Sequence, residues 1–150
     1  MILYVKEEFK ILETKFYRNQ NFEAIYTCIH PHDSPQIFHI LITYASPKCS
    51  FQHITDNLTT CLQSYQPTET YVILGDFNMN TIVGGEKYND KIEQYFSQEY
   101  NMRQMVTQET TDYHTKLDLV FTNSHQVDHT GVIDNCWSDH KLIYTALPML

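Results

Sequence analysis

The stretch Tyr71–Asn78 constrains this chain more than any other. Tyr71, Val72, Ile73 and Leu74 form an apolar run of strand length, and it stops at Gly75. Helical spacing stands on both sides. Before it, Phe51, Ile54, Leu58 and Leu62 recur every three or four residues, with Cys61 beside them; after it, Ile92, Tyr95, Phe96 and Tyr100 repeat the pattern over 91–100. A buried strand set between amphipathic helices requires a sheet with helices packed outside it, which places the chain in the α/β class.

Other segments extend the sheet. "ILYV" at 2–5, "FEAIYTCI" at 22–29 and "QIFHILITY" at 36–44 read as an antiparallel meander, with a proline-rich turn in "HPHDSPQ". "KLDLVFTN" at 116–123 predicts a further strand, and "KLIYTALPML" at 141–150 a last one. No repeat or low-complexity tract interrupts them. The length suits one domain over 1–150, and 42% hydrophobic residues are enough to fill a core.

Charge narrows the function. A formal charge of −8 argues against a passive nucleic-acid-binding surface, because phosphate binding is driven by Lys and Arg. It argues less against an enzyme that meets phosphates through a cation, since cation-holding carboxylates are part of the negative count. No apolar run approaches the roughly 18 residues of a membrane span, and the N-terminus lacks a signal-peptide pattern; the expectation is an intracellular protein without a membrane. Cys28, Cys49, Cys61 and Cys136 have neither metal-finger nor redox spacing and read as reduced thiols in the interior.

The end of the Tyr71–Leu74 strand then needs a reason. It delivers Asp76 and Asn78, which share a face if the chain stays extended, while Phe77 turns to the core. Asp can orient or deprotonate a water, or hold a cation; Asn can donate to a phosphate oxygen without adding charge. Gly-Asp and Asn are also good turn formers, and on these letters alone the turn reading leads. Two other segments shift the balance. Asp118 stands between Leu117 and Leu119 inside an apolar strand, where an unpaired acid is costly. Asp139 and His140 open the last strand. A buried acid paired with a strand-end histidine fixes the imidazole tautomer and raises its pKa, suiting it to a phosphate oxygen.

"GDFNMN", "LDLVF" and "SDH", in that order, resemble the endonuclease/exonuclease/phosphatase superfamily, and the wording "GDFN…LDLVFTN…SDHKLI" is most similar to endonuclease domains of retroelements. The resemblance spans about residues 2–147. It implies a four-layer α/β/β/α sandwich and hydrolysis of phosphoesters with Mg²⁺ or Mn²⁺. It implies that Asp76 activates the attacking water, Asn78 holds the scissile phosphate, and Tyr44, in "ITYASP", contacts the phosphate or leaving group. His140 stabilises charge on the phosphate, Asp118 orients His140, and Asp139 joins Asp76 in the metal and water network. Nucleic acid is the implied substrate, with DNA ahead of RNA.

The sequence also departs from that pattern. The superfamily opens with an Asn-bearing strand and a strand ending in Gln-Glu, whose Glu is a principal metal ligand. "MILYVKEEF" resembles the strand after these, so roughly 70 residues of a usual domain have no counterpart, and 1–150 reads as a partial domain lacking the first strands. Glu7 and Glu8 read as a solvated turn, not as the missing ligand. Metal binding is therefore expected to be weak, and self-association through an exposed sheet edge follows. Two alternatives stay open: a non-catalytic remnant without the metal-binding Glu, and a small-molecule or lipid phosphatase of the same superfamily. His30, His32 and Asp33 read as hairpin, and His125 and His129 as surface residues. Trp137 reads as packing ahead of substrate stacking, although in a nuclease a flanking aromatic could touch a base; Thr110 and Thr111 have a minor claim to lie near the site.

Overall fold

The computed structural model describes residues 1–149. Its centre is a six-stranded mixed sheet in the order β1-β2-β3-β4-β6-β5. The strands are β1 (Phe9–Asn19), β2 (Phe22–Pro31), β3 (Phe38–Ala45), β4 (Thr70–Asp76), β5 (Arg103–Gln104) and β6 (Asp118–Thr122). β1, β2 and β3 form an antiparallel meander; β3 and β4 run parallel, joined through α1 (Phe51–Cys61); and β6 returns antiparallel to β4. A second, two-stranded sheet pairs β7 (His129–Ile133) with β8 (Leu142–Ala146).

Local chemistry explains the helices. Ser50 caps α1 by accepting the His53 N–H at 3.2 Å, and the buried face of α1 repeats at Ile54, Leu58 and Cys61. α2 (Lys91–Tyr100) buries Ile92 and Phe96 one turn apart and ends at Asn101, whose φ of 52° is the left-handed closure that asparagine tolerates.

Cross-strand register sorts the side chains onto two faces. Tyr26, Leu41, Ile73 and Phe121 are successive partners across β2, β3, β4 and β6, so they share one face. The two helices cover that face, and Phe77, Phe96 and Phe121 meet edge-on or stacked within it. Burying each such ring stabilises by about 1.5–3 kcal/mol. The opposite face carries Val72 and Val120, against which Val132 and Ile143 of the small sheet pack. Among the described residues, that cover lies over β4, β6 and the adjoining Met105 and Val106. Further along, Phe16 on β1 stays 75% exposed.

Three expectations need correction. Residues 2–5 are not a strand; β1 starts at Phe9, after a turn at Glu7 and Glu8. Met1, Ile2, Leu3 and Val5 instead line a groove with Ile11, Phe16 and Ile25, without pairing into the sheet. The last strand closes at Ala146, short of the predicted 141–150, and Leu150 lies outside the described residues. The cysteines are only partly interior: Cys28 and Cys61 are buried, Cys49 is half-buried and Cys136 is exposed. Among the described residues, no helix is long and apolar enough to cross a membrane.

Candidate active site

The two faces of the sheet set the site. Two residues beyond Leu74 on β4 comes Asp76, partnered by Tyr44 on β3 and Asp118 on β6. These three form one cross-strand row on the face that β7 and β8 partly cover, at the C-terminal ends of β3 and β4. Such ends of a sheet collect ligands because loops, not further strands, surround them. The strand β6 begins at Asp118 rather than enclosing it, which leaves the carboxylate half-buried at the sheet end.

Gly75 makes this ending possible. Its φ is +149°, and a Cβ there would lie 1.9 Å from the Thr43 carbonyl oxygen. No other residue fits. The chain then leaves the extended form: Asn78 has a φ of 50°, so it does not reach the site by strand alternation. Its backbone N–H donates to Asp76 Oδ1 at 2.9 Å, and its side-chain Nδ2 donates to the Ala45 carbonyl at 2.6 Å. Asn78 thus clamps Asp76 from behind and ties β4 to the end of β3. Phe77, between them, is buried as the sequence pattern predicts.

His140 arrives from the start of β8. Its Nδ1–H donates to Asp118 Oδ2 at 2.8 Å, and Nε2 lies 3.9 Å from Asp76 Oδ2. This bond fixes the tautomer and leaves Nε2 facing Asp76 and open space. Burial alone lowers the His140 pKa, but the bond and charge of Asp118, with Asp76 and Asp139 behind, offset this and hold it above the usual histidine range. Burial pushes Asp76 up to about 6; the Asn78 N–H bond opposes that shift, and the Asp118 charge adds to it. Oxygens of Asp76 and Asp118 and a nitrogen of His140 all lie within 4.8 Å of one another.

The donor set fits a divalent cation held loosely. Asp76 is a poorly solvated carboxylate that a cation would relieve, while Asp118 is already engaged by His140. An ion such as Mg²⁺, which keeps much of its own water, needs few protein oxygens. Asp139 is not in this cluster: its side chain is exposed, and its carbonyl accepts the Asp112 N–H at 2.9 Å. Tyr44 stands 41% exposed beside Asp76.

Sequence reasoning undervalued two threonines. Thr110 is fully buried; its Oγ1 accepts the N–H groups of Leu117 and Asp118, and its carbonyl accepts that of Lys141. One residue therefore joins the start of β6 to the start of β8, and Thr111 bridges directly to His140. A Thr-Thr pair just before an acid-bearing strand was the only available signal. Trp137 overturns its predicted packing role, since it is 86% exposed. His30, His32, His125 and His129 join no metal-competent cluster among the described residues, and His129 instead meets the Tyr144 hydroxyl at 2.6 Å.

Comparison with known families is decisive for kinship. A sequence profile described as endonuclease-reverse transcriptase matches residues 38–144, more than two thirds of the chain. The chain belongs to the endonuclease-reverse transcriptase family. It is thereby a member of the endonuclease/exonuclease/phosphatase superfamily, and solved structures share its fold. The human Nocturnin catalytic domain, solved with bound sulfate, aligns at a TM-score of 0.65 and 17% identity over 95% of this chain and 62% of that one. An endonuclease/exonuclease/phosphatase from Bacteroides vulgatus aligns at 0.71 and 14% identity, over 98% and 69%. The endonuclease domain of TRAS1, a telomere-specific non-LTR retrotransposon, aligns at 0.69 and 14% identity, over 91% and 68%. This family member thus spans about 62–69% of the length of those structures. A comparison with curated proteins gives no match.

Proposed function

We propose that this chain is a phosphoesterase module that acts on phosphodiesters of nucleic acid, DNA in preference to RNA. The observation that carries the reading is the Asp118–His140 bond with Asp76 facing the free imidazole edge, at the open end of the sheet. A charged imidazole held by a carboxylate can grip a phosphate oxygen and balance negative charge as it builds there. Asp76, whose carboxyl burial pushes up to about 6, can accept a proton from a water directed at phosphorus. Asn78 holds Asp76 by its backbone and keeps one side-chain N–H for substrate; Tyr44 lies on the other flank. Asp76 would hold Mg²⁺ or Mn²⁺ with Asp139 nearby, and such an ion supplies charge neutralisation at the phosphate. Family membership supports a nucleic-acid substrate over a small-molecule or lipid phosphoester.

The architecture supports the same reading. The described residues supply one helical layer, a six-stranded sheet and two strands of a second sheet. We take this as a single, partial four-layer α/β/β/α domain that lacks the first strands. With so few carboxylates around the ion, hydrolysis by the chain alone is slow, and a non-catalytic phosphate binder is the limiting case. The test is nicking of supercoiled plasmid in Mg²⁺ and in Mn²⁺. Slow nicking that disappears in an Asp76→Ala, His140→Ala double variant supports the proposal. Nicking that persists unchanged in the double variant, or equal retention of the parent and the double variant on a phosphate-bearing column, refutes it.

A further inference from the structure

We propose that Tyr113 and Trp137 form a stacking platform for unpaired nucleobases at the rim of the Asp76–Asp118–His140 site. The inference rests on the nucleic-acid reading above and names the form of substrate that reading leaves open.

Several exposed large apolar side chains run from the N-terminus along β1 to Phe16. Three others, Tyr44, Tyr113 and Trp137, stand on the partner strand of Asp76 or on loops bonded to the segment that carries His140. Tyr44 is the cross-strand partner of Asp76. Tyr113 is 74% exposed and Trp137 86% exposed, yet the backbones beneath both rings are fixed. The Tyr113 N–H donates to Thr111 Oγ1 at 3.2 Å, and Thr111 bridges to His140. The Trp137 N–H donates to Asn135 Oδ1 at 2.9 Å, and Asn135 Nδ2 donates to the His140 carbonyl at 2.5 Å. The two loops are joined to each other where the Asp112 N–H meets the Asp139 carbonyl at 2.9 Å. Each ring therefore stands on backbone bonded to a residue, Thr111 or Asn135, that itself contacts His140.

A single exposed aromatic is ordinary on a protein surface. Two on loops bonded to each other and to a catalytic candidate form a surface already organised to receive a flat partner, at little cost in side-chain freedom. An acidic surface repels the phosphates of any strand, so binding here has to come from the bases. The net charge is −8, and Lys141, the cation beside His140, is engaged by Asp134 at 3.3 Å and Glu109 at 3.5 Å. Binding that relies on phosphate contacts is weak on such a surface. Stacking is indifferent to charge, because every base offers a π face. In a continuous duplex those faces are already stacked, so the platform selects unpaired bases: a single strand, a gap or a frayed end.

Trp137 is the only tryptophan, so its emission reads the platform directly. The full chain is titrated, in EDTA to prevent cleavage, with an oligothymidylate of about 12 residues, a length within the usual site sizes. An abasic phosphodiester oligomer of equal length serves as comparison. The expected result is quenching of Trp137 by the thymidine oligomer and none by the abasic one. Fluorescence anisotropy of labelled oligothymidylate should then show roughly 5- to 100-fold weaker binding for Tyr113→Ala and for Trp137→Ala, with Trp137→Phe near the parent. Oligothymidylate binding that neither alanine variant weakens, or equal binding of the abasic oligomer, overturns the platform and leaves the nucleic-acid reading intact. No binding of oligothymidylate also overturns the platform; only when plasmid nicking fails as well does the function fall with it.

Discussion

Replacing Asp76 with Asn should make the protein more stable at neutral pH while removing its chemistry. Burial raises the Asp76 carboxyl from 3.8 to about 6. The folded state therefore binds the proton more tightly than the unfolded state. Between pH 3.8 and about 6 the unfolded chain has fewer protons bound, so stability falls as pH rises through that window and stays level above it. A shift of roughly two units corresponds to about 3 kcal/mol at about 1.4 kcal/mol per unit. Partial solvent access reduces this to about 1–3 kcal/mol. Asn removes the buried charge and its repulsion by Asp118, and its Oδ1 can still accept the Asn78 N–H at 2.9 Å in the parent. Urea unfolding of both proteins, followed by far-ultraviolet circular dichroism at pH 4 and pH 7.5, reads the difference. The variant should gain about 1–3 kcal/mol at pH 7.5 and little at pH 4. A variant equally or less stable at both pH values would refute the argument that Asp76 is held against its own desolvation.

Three further outcomes follow from named contacts. Gly75→Ala should cost about 3 kcal/mol or more, because its Cβ meets the Thr43 carbonyl at 1.9 Å, whereas Gly84→Ala, with positive φ but nothing within 4 Å, should cost only about 1 kcal/mol; equal urea midpoints would contradict the steric account. Asp118→Asn should lower the His140 titration midpoint seen by proton NMR, since burial then acts without the opposing charge, and should slow plasmid nicking by roughly a hundredfold or more; an unmoved midpoint would show that Asp118 does not govern the imidazole. Phe16→Lys should reduce self-association in sedimentation velocity, because Phe16 is 75% exposed on edge strand β1; a parent chain that is monomeric at all concentrations would remove the premise.

Much of the fold was legible because hydrophobic periodicity survives wherever an element is buried on at least one side. β2, β3, β4 and both helices meet that condition, and their predicted positions agree with the structure to within a few residues. β1 does not meet it. Ile11, Leu12 and Phe16 are about half or more exposed, so "FKILETKFYRN" carries no burial pattern and forms a strand because β2 pairs with it. The meeting of Asp76, Asp118 and His140 was legible through motif order alone; no local rule brings residues so distant in sequence together. The route of Asn78 to the site was not legible, since it depends on a left-handed turn after Gly75. The exposure of Trp137 was equally hidden, because an aromatic in "NCWSDH" looks the same in sequence whether it faces inward or out.

Among the described residues, the small sheet of β7 and β8 shares no strand ladder with the six-stranded sheet; side-chain packing on Val72 and Val120 and the loop bonds of Thr110, Thr111 and Asp112 hold it in place. His140 sits at the head of this hairpin, whereas Asp76 and Asp118 belong to the large sheet. Excursions that lift the hairpin away need not unzip any ladder of the main body, so they occur at lower free energy than global unfolding. Each one parts the imidazole from its carboxylate. Gentle heating or mild denaturant should then separate this pair first, and amides of β8 should exchange with deuterium ahead of those in β3 and β4, in a molecule whose main sheet is still intact.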